Sequence, residues 1–171
     1  MHHNIERFLN GLEYDRDIPE MAHFEKFYED HMLNKIIPYR TEWRIACPIH
    51  KIAGTVDFVG RKPDGNYVLI DWKRSKKLED NLTNNFNRKA KYPLDDLDDC
   101  DGVKYSLQLN IYRYILQKHY GITVDNLIVA SFHPNRETYF SFDVEVNLHS
   151  YLLFLLTFSI SSLWTKMSQR Y

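Results

Sequence analysis

The stretch from Gly54 to Lys77, GTVDFVGRKPDGNYVLIDWKRSKK, most constrains what this chain can fold into. Two apolar runs flank the turn sequence Pro-Asp-Gly at 63–65, which predicts a β-hairpin. Because side chains alternate across a strand, Asp71 and Lys73 are expected on one face of the second strand. If Asp57 on the first strand points the same way, two carboxylates and an ammonium group meet on one face of a sheet.

Helix and strand patterns surround this hairpin. Apolar spacing predicts helices over 1–12, 19–36 and 103–120 and strands over 41–46, 127–132 and 138–146, before an apolar final helix. Three strands followed by a crossover helix and a further strand predict an α/β fold, with a mixed central β-sheet flanked by helices. Residues 74–102 are predicted to form a long loop, interpreted as a lid or a substrate-facing insertion.

Size and charge limit the classes of protein to consider. A chain of 171 residues is expected to form one domain, and its 22 basic and 23 acidic residues nearly cancel, so a nucleic-acid-binding surface would have to be local. Cys47 and Cys100 show neither metal-ligand spacing nor a disulfide pattern, which indicates an intracellular compartment. The uncharged run 146–165 contains several polar residues, which favours a buried helix over a membrane span.

The two aspartates of the hairpin favour a metal site. Carboxylates held close together on neighbouring strands repel each other, and keeping both ionised generally requires a cation between them. Oxygen ligands favour Mg²⁺ or Mn²⁺, which can activate water and polarise a phosphoryl group. A surface ion-pair ladder is the alternative. The apolar residues around Asp71 argue against it, since they indicate a central strand in which an unpaired charge costs free energy.

Three motifs in this chain resemble those of the PD-(D/E)XK nuclease superfamily, above all its RecB-like branch, which includes the lambda-type exonucleases. They are GTVD at 54–57, IDWK at 70–73 and QLNIY at 108–112. The resemblance extends over about residues 1–134, and PYRTEW at 38–43 is similar to nuclease modules of giant-virus and mobile-element proteins. It implies a restriction-endonuclease-like αβββαβ core. Val56 stands where the family's motif has proline, which leaves the aspartate intact.

The resemblance also implies a role for each matching residue. Asp57 and Asp71 would be metal ligands, the carbonyl of Trp72 a backbone ligand and Lys73 the catalytic lysine. The segment 2–6 resembles the family's H-x-x-[IL]-E pattern, with His2 as a further ligand. Gln108 and Tyr112, one helical turn apart, would contact the DNA backbone or order the active site.

Other charged residues have two interpretations each. Glu29 is a reserve metal ligand, and Glu42 either supports Lys73 or the water molecule at the metal, or is a solvated strand residue. The basic residues near the hairpin are either a rim that follows phosphates or a solvated edge. They are Arg61, Lys62, Arg74, Lys76, Lys77, Arg88, Lys89 and Lys91.

These features predict a Mg²⁺- or Mn²⁺-dependent DNA nuclease of the RecB-like exonuclease type, acting on single- or double-stranded DNA. One alternative is an RNA endonuclease of the viral cap-snatching kind, against which the Q-x-x-x-Y helix argues. Another is a non-catalytic nucleic-acid-binding module, against which the retention of Asp57, Asp71 and Lys73 argues. We expect one nuclease domain over 1–171, either on its own or within a longer polypeptide. It would lie in the cytoplasm or nucleus, of a host cell if the protein is viral, and without a membrane partner.

Overall fold

The fold is taken from a computed structural model of the chain, which describes residues 1–83, 87–92 and 94–146. Its α-helices are α1, His2–Leu9, α2, Pro19–Phe27, and α3, Asp101–Tyr120. Its strands are β1, Ile37–Cys47, β2, Ile52–Arg61, β3, Tyr67–Lys73, β4, Val124–Ser131, and β5, Phe140–Asp143. A π-helical turn, Tyr28–Met32, continues α2, and a 3₁₀ turn, Glu79–Asn81, follows β3.

The five strands form one mixed sheet in the order β1-β2-β3-β4-β5. All neighbours are antiparallel except β3 and β4, which are parallel and are joined by α3. A parallel pair needs a long crossover connection, and α3 supplies it. The predicted α/β fold with a restriction-endonuclease-like αβββαβ core is therefore confirmed.

Helices cover both faces of the sheet, and β3 contributes to both layers of the core. On one face, Leu109 and Ile115 of α3 pack with Leu69. On the other face, α1 and α2 pack against Val68, Ile70 and Trp72, whose indole ring makes edge contacts with Phe24 and Phe27. Burying each of these large side chains contributes roughly 1.5–3 kcal/mol, so β3 is held at the centre of the domain.

Several boundaries differ from those predicted. The second helix was expected to run to 36 but ends as an α-helix at Phe27, because the amide of Leu33 bonds the carbonyl of Tyr28 five residues back in a π-type turn. The loop over 74–102 contains the 3₁₀ turn and an isolated bridge between Lys89 and Asp98.

The predicted final helix over 146–165 lies almost wholly outside the described residues, as does the run considered as a membrane span. Within the ranges that the structure describes, no helix has the length and apolar character needed to cross a bilayer.

Candidate active site

The site lies where β2 and β3 separate. Their pairing runs from Arg61 opposite Tyr67 to Phe58 opposite Ile70, and the next step would place Asp57 opposite Asp71. The ladder ends there, and the backbone N–H of Trp72 donates a hydrogen bond of 2.8 Å to Asp57 Oδ2. A side-chain carboxylate thus satisfies a strand amide, which fixes the orientation of Asp57 at the fork between the strands.

His2 and Glu42 converge on Asp57 from two other elements. The Nδ1 atom of His2, at the first position of α1, lies 3.7 Å from Asp57 Oδ2 and 3.9 Å from Glu42 Oε1. The backbone of Glu42 has φ +46°, a left-handed conformation that a non-glycine residue adopts at a cost. The register of β1 with β2 is the same at Thr41 and at Trp43, so the positive φ is confined to Glu42, whose side chain lies in the cluster with His2 and Asp57.

Asp71 and Lys73 form an ion pair on the neighbouring strand. Asp71 is only 3% exposed, and the Nζ atom of Lys73 lies 2.6 Å from its Oδ2. Among the described residues no donor makes a well-aligned hydrogen bond to that oxygen. The ammonium of Lys73 also lies 4.4 Å from the centre of the Tyr105 ring. The lysine is therefore held between a buried carboxylate and an aromatic face.

The electrostatics of this cluster favour an added cation. Burial, followed by the charge of Asp71, raises the pKa of Asp57 to about 7, against the opposing effects of the Trp72 amide and Lys73. Burial also raises the pKa of Asp71 in spite of Lys73, and burial together with Asp57 raises the pKa of Glu42. Burial lowers the pKa of His2. The neutral imidazole is the form that binds a metal ion. Raised carboxyl pKa values mean that the positive charge nearby does not fully compensate the ionised carboxylates, so an added cation would stabilise them.

The donor set fits a hard divalent ion. His2, Glu42 and Asp57 each offer one ligand atom, and these atoms all lie within 4.8 Å of one another. Carboxylate oxygens with a single imidazole suit Mg²⁺ or Mn²⁺. Asp71 does not belong to this group of donor atoms, because its Oδ2 faces Lys73 Nζ at 2.6 Å, but its charge acts on Asp57 and raises the pKa of that carboxyl. His2, Glu42 and Asp57 can therefore hold an ion, with the pair of Asp71 and Lys73 on the neighbouring strand.

One side of α3 carries polar and aromatic residues past the site. The Nε2 atom of Gln108 donates a 3.0 Å hydrogen bond to the hydroxyl of Tyr112. The Tyr112 ring lies against Gly54, where an added Cβ would come within 2.6 Å of its hydroxyl. Gly54 therefore permits the close approach of α3 to β2.

Other predicted site residues lie apart from this cluster. Arg74 forms an ion pair with Glu20 of α2, a carboxylate that is 3% exposed, so its guanidinium is directed towards α2. Lys76 is exposed, and Glu29 is exposed in the π-helical turn and does not belong to the group of donors. The Trp72 side chain is buried under α2, and its amide rather than its carbonyl contacts Asp57.

Sequence reasoning missed Tyr105, and it left Glu42 between two interpretations. Tyr105 lies three residues before Gln108, so helical spacing alone would have placed it on the same face of α3. No comparable signal was available for Glu42, because its position depends on a positive φ angle that glutamate rarely adopts.

Comparison with known proteins supports the fold. No protein-family model matches the sequence, and neither does any curated protein. Among solved structures, the chain resembles a "Putative exonuclease" from Eubacterium rectale, with a TM-score of 0.52 and 11% identity over 92% of this chain and 62% of that one. They share a fold.

Two further structures resemble the chain more distantly. A repair endonuclease from Pyrococcus abyssi has 24% identity and a TM-score of 0.32, over 66% of this chain and 36% of that one. A complex of EndoMS with double-stranded DNA has 20% identity and a TM-score of 0.32, over 64% and 36% of the two chains. The chain spans less than two thirds of the length of each of these three structures.

Proposed function

We propose that this protein is a Mg²⁺- or Mn²⁺-dependent DNA nuclease of the RecB-like exonuclease type, which hydrolyses phosphodiester bonds. The observation that carries the proposal is the carboxylate cluster at the fork of β2 and β3, in which Asp57, Asp71 and the half-buried Glu42 all have raised pKa values. Lys73 is paired with Asp71 at 2.6 Å. Perturbed carboxylates with a specific charged partner are typical of catalytic sites. The fold shared with the "Putative exonuclease" supports the same assignment.

In this proposal the ion is held by His2, Asp57 and Asp71, with Glu42 as an additional ligand and the Trp72 carbonyl as a backbone ligand. When bound, a divalent ion supplies positive charge that polarises a phosphoryl oxygen and makes a water molecule more acidic. The burial of Asp57 and Asp71 keeps water away from the carboxylates and strengthens their attraction for a cation.

Lys73, whose Nζ atom lies 2.6 Å from Asp71 Oδ2, acts on the reacting phosphate. Its ammonium donates hydrogen bonds to the attacking water or to a phosphate oxygen and offsets the negative charge that develops there. In the hydrolysis, the water oxygen bonds to phosphorus, the bond to the leaving oxygen breaks, and a proton passes to that oxygen. The products are a phosphate monoester and a free hydroxyl group.

Contacts with the rest of the DNA would come from α3 and from the basic rim. Gln108 and Tyr112 lie on the side of α3 that carries Tyr105, and Lys76 is exposed after the end of β3. Arg74 has its Nε atom engaged by Glu20, so we assign phosphate binding to Lys76 in preference to Arg74.

The proposal is tested by incubating the purified protein with single-stranded DNA, double-stranded DNA and single-stranded RNA in one buffer. We expect cleavage of DNA with Mg²⁺ or Mn²⁺ and none with EDTA. Asp57→Ala, Asp71→Ala and Lys73→Ala are expected to abolish cleavage, with circular dichroism spectra like that of the wild type. Glu29→Ala, which changes an exposed residue outside the cluster, serves as the active control.

Each contrary outcome has a distinct meaning. Full activity in Asp71→Ala would remove the basis of the assignment. Cleavage of RNA alone would favour the cap-snatching type of endonuclease. Calorimetry that detects no Mn²⁺ binding near stoichiometric level would favour a non-catalytic nucleic-acid-binding module on the same fold.

A further inference from the structure

We propose that Tyr105 is a positioning residue, whose ring face holds the Lys73 ammonium in place for the reaction; this rests on the proposed nuclease function. The centre of the Tyr105 ring lies 4.4 Å from Lys73 Nζ, well within the range of a cation–π interaction. The Lys73 side chain is only 19% exposed, so the contact is partly shielded from water and is stronger than it would be at the surface.

The Tyr105 ring gives Lys73 a second partner besides Asp71. In the cluster as described, the ammonium lies 2.6 Å from Asp71 Oδ2. A carboxylate that is shared with a metal ion attracts an ammonium less strongly, because its negative charge is already partly compensated. An aromatic ring does not bind a divalent ion, whereas a second carboxylate at this position would. The ring attracts the Lys73 ammonium through its quadrupole and leaves N–H groups of that ammonium free to reach water or phosphate.

The position of Tyr105 depends on close packing at the start of α3. Gly102 lies against the backbone of Leu82, where an added Cβ would be 2.7 Å from the Leu82 carbonyl oxygen. The Cys100 thiol donates to that same oxygen at 3.3 Å, and the Ser106 hydroxyl donates to the Gly102 carbonyl at 2.7 Å. The contacts of Gly102 and Cys100 with Leu82 join the start of α3 to the segment that follows β3, and the Ser106 hydrogen bond lies within the helix. The Tyr105 ring is thereby held beside Lys73 at the end of β3.

The kinetic test separates the ring from the hydroxyl. Tyr105→Phe keeps the aromatic face and is expected to retain kcat within about twofold, whereas Tyr105→Leu removes it and is expected to lower kcat by roughly 3- to 30-fold. KM for DNA and the affinity for Mn²⁺ should change little in either variant. Tyr105→Met is a second apolar replacement in case the leucine variant folds poorly. Tyr120→Leu, at the last residue of α3, where the tyrosine is 39% exposed, is the matched control.

A second measurement does not depend on nuclease activity. Reductive methylation of lysines, quantified by mass spectrometry, is expected to label Lys73 faster in Tyr105→Leu and Tyr105→Met than in the wild type or Tyr105→Phe. The exposed Lys76 provides the internal reference. An unchanged ratio of Lys73 to Lys76 labelling would overturn the proposal, as would a kcat of Tyr105→Leu equal to that of Tyr105→Phe.

The two readouts distinguish failure of this inference from failure of the proposed function. Wild-type protein that cleaves no nucleic acid would refute the nuclease, while a change in Lys73 labelling would still support the placement of its ammonium by Tyr105. An active wild type whose Tyr105→Leu variant loses activity only through a raised KM would refute the positioning role, because it would show that the ring binds DNA instead.

Discussion

Asp57 has a pKa that burial and the charge of Asp71 raise from 3.8 to about 7, and its side chain is only 11% exposed. In the absence of metal, the folded protein therefore binds the Asp57 proton more tightly than the unfolded chain does. The stability that this proton contributes is complete below pH 3.8, the ordinary pKa of aspartate, and is lost as the pH rises through about 7. The full shift corresponds to roughly 4 kcal/mol in the free energy of unfolding.

We therefore predict that Asp57→Asn stabilises the metal-free protein at alkaline pH. In EDTA at pH 8, denaturant titration should give a higher free energy of unfolding for the variant than for the wild type, by up to roughly 4 kcal/mol. The difference should shrink as the pH falls towards 5. Mn²⁺ should raise the stability of the wild type and have little effect on the variant. Parallel pH profiles for the two proteins would contradict the prediction.

The contact between Gly54 and Tyr112 allows a prediction about stability. In Gly54→Ala, the new methyl group would meet the Tyr112 ring at 2.6–2.8 Å, so α3 or the ring must shift. We expect a loss of about 1–3 kcal/mol in stability, measured by denaturant unfolding. Tyr112→Leu should remove the steric conflict, so adding Gly54→Ala to that background should cost much less. Equal costs in both backgrounds would show that the contact with Tyr112 is not responsible.

The ion pair of Arg74 with Glu20 joins the end of β3 to α2. Arg74→Ala would leave a carboxylate that is 3% exposed without its cationic partner, and we expect a loss of about 1–2 kcal/mol. Glu20→Gln in the same protein should recover part of that loss, because it removes the buried charge. KM for DNA should remain near the wild-type value. A large increase in KM with unchanged stability would instead assign Arg74 to DNA binding.

The central elements could be predicted because local and long-range preferences agree. The apolar residues Val68, Ile70 and Trp72 alternate with Asp71 and Lys73, so β3 was recognisable as a buried strand with polar groups on one face. The end of α3 was equally clear. Gly121 adopts φ +69°, which glycine permits at little cost, and the helix stops there as predicted.

Other parts of the fold and site depend on information that periodicity does not contain. Met32 is buried in the π-helical turn after Phe27. The same apolar spacing is compatible with an uninterrupted α-helix, so periodicity could not distinguish the two. The left-handed backbone at Glu42 and the pairing of Arg74 with Glu20 are both set by tertiary contacts. The sequence could therefore predict the strands that carry Asp57 and Asp71, but not the full set of groups around them.

The net charge of the protein predicts how its affinity for DNA depends on salt concentration. The formal net charge is −1, so attraction to phosphate must come from local basic residues, and few counterions should be released on binding. With the inactive Asp71→Ala variant, a shallow dependence of log Kd on log salt concentration is expected. Adding Lys76→Ala should reduce the slope by about 0.7–0.9, the contribution of one phosphate contact. Arg74→Ala should leave it unchanged.

A reduction in slope by Arg74→Ala equal to that of Lys76→Ala would show that the guanidinium leaves Glu20 when DNA binds. Fluorescence anisotropy with a labelled oligonucleotide measures both slopes under the same conditions.

The proposed metal donors come from α1, β1, β2 and β3, so the ion can bind tightly only after segments far apart in the sequence have come together. A ligand whose binding site is completed only after the transition state for folding slows unfolding and leaves the folding rate nearly constant. Stopped-flow experiments should therefore show that Mn²⁺ lowers the unfolding rate constant of the wild type much more than it raises the folding rate constant. A lower unfolding rate lengthens the lifetime of the native protein, so the protein should resist proteolysis for longer when the metal ion is abundant.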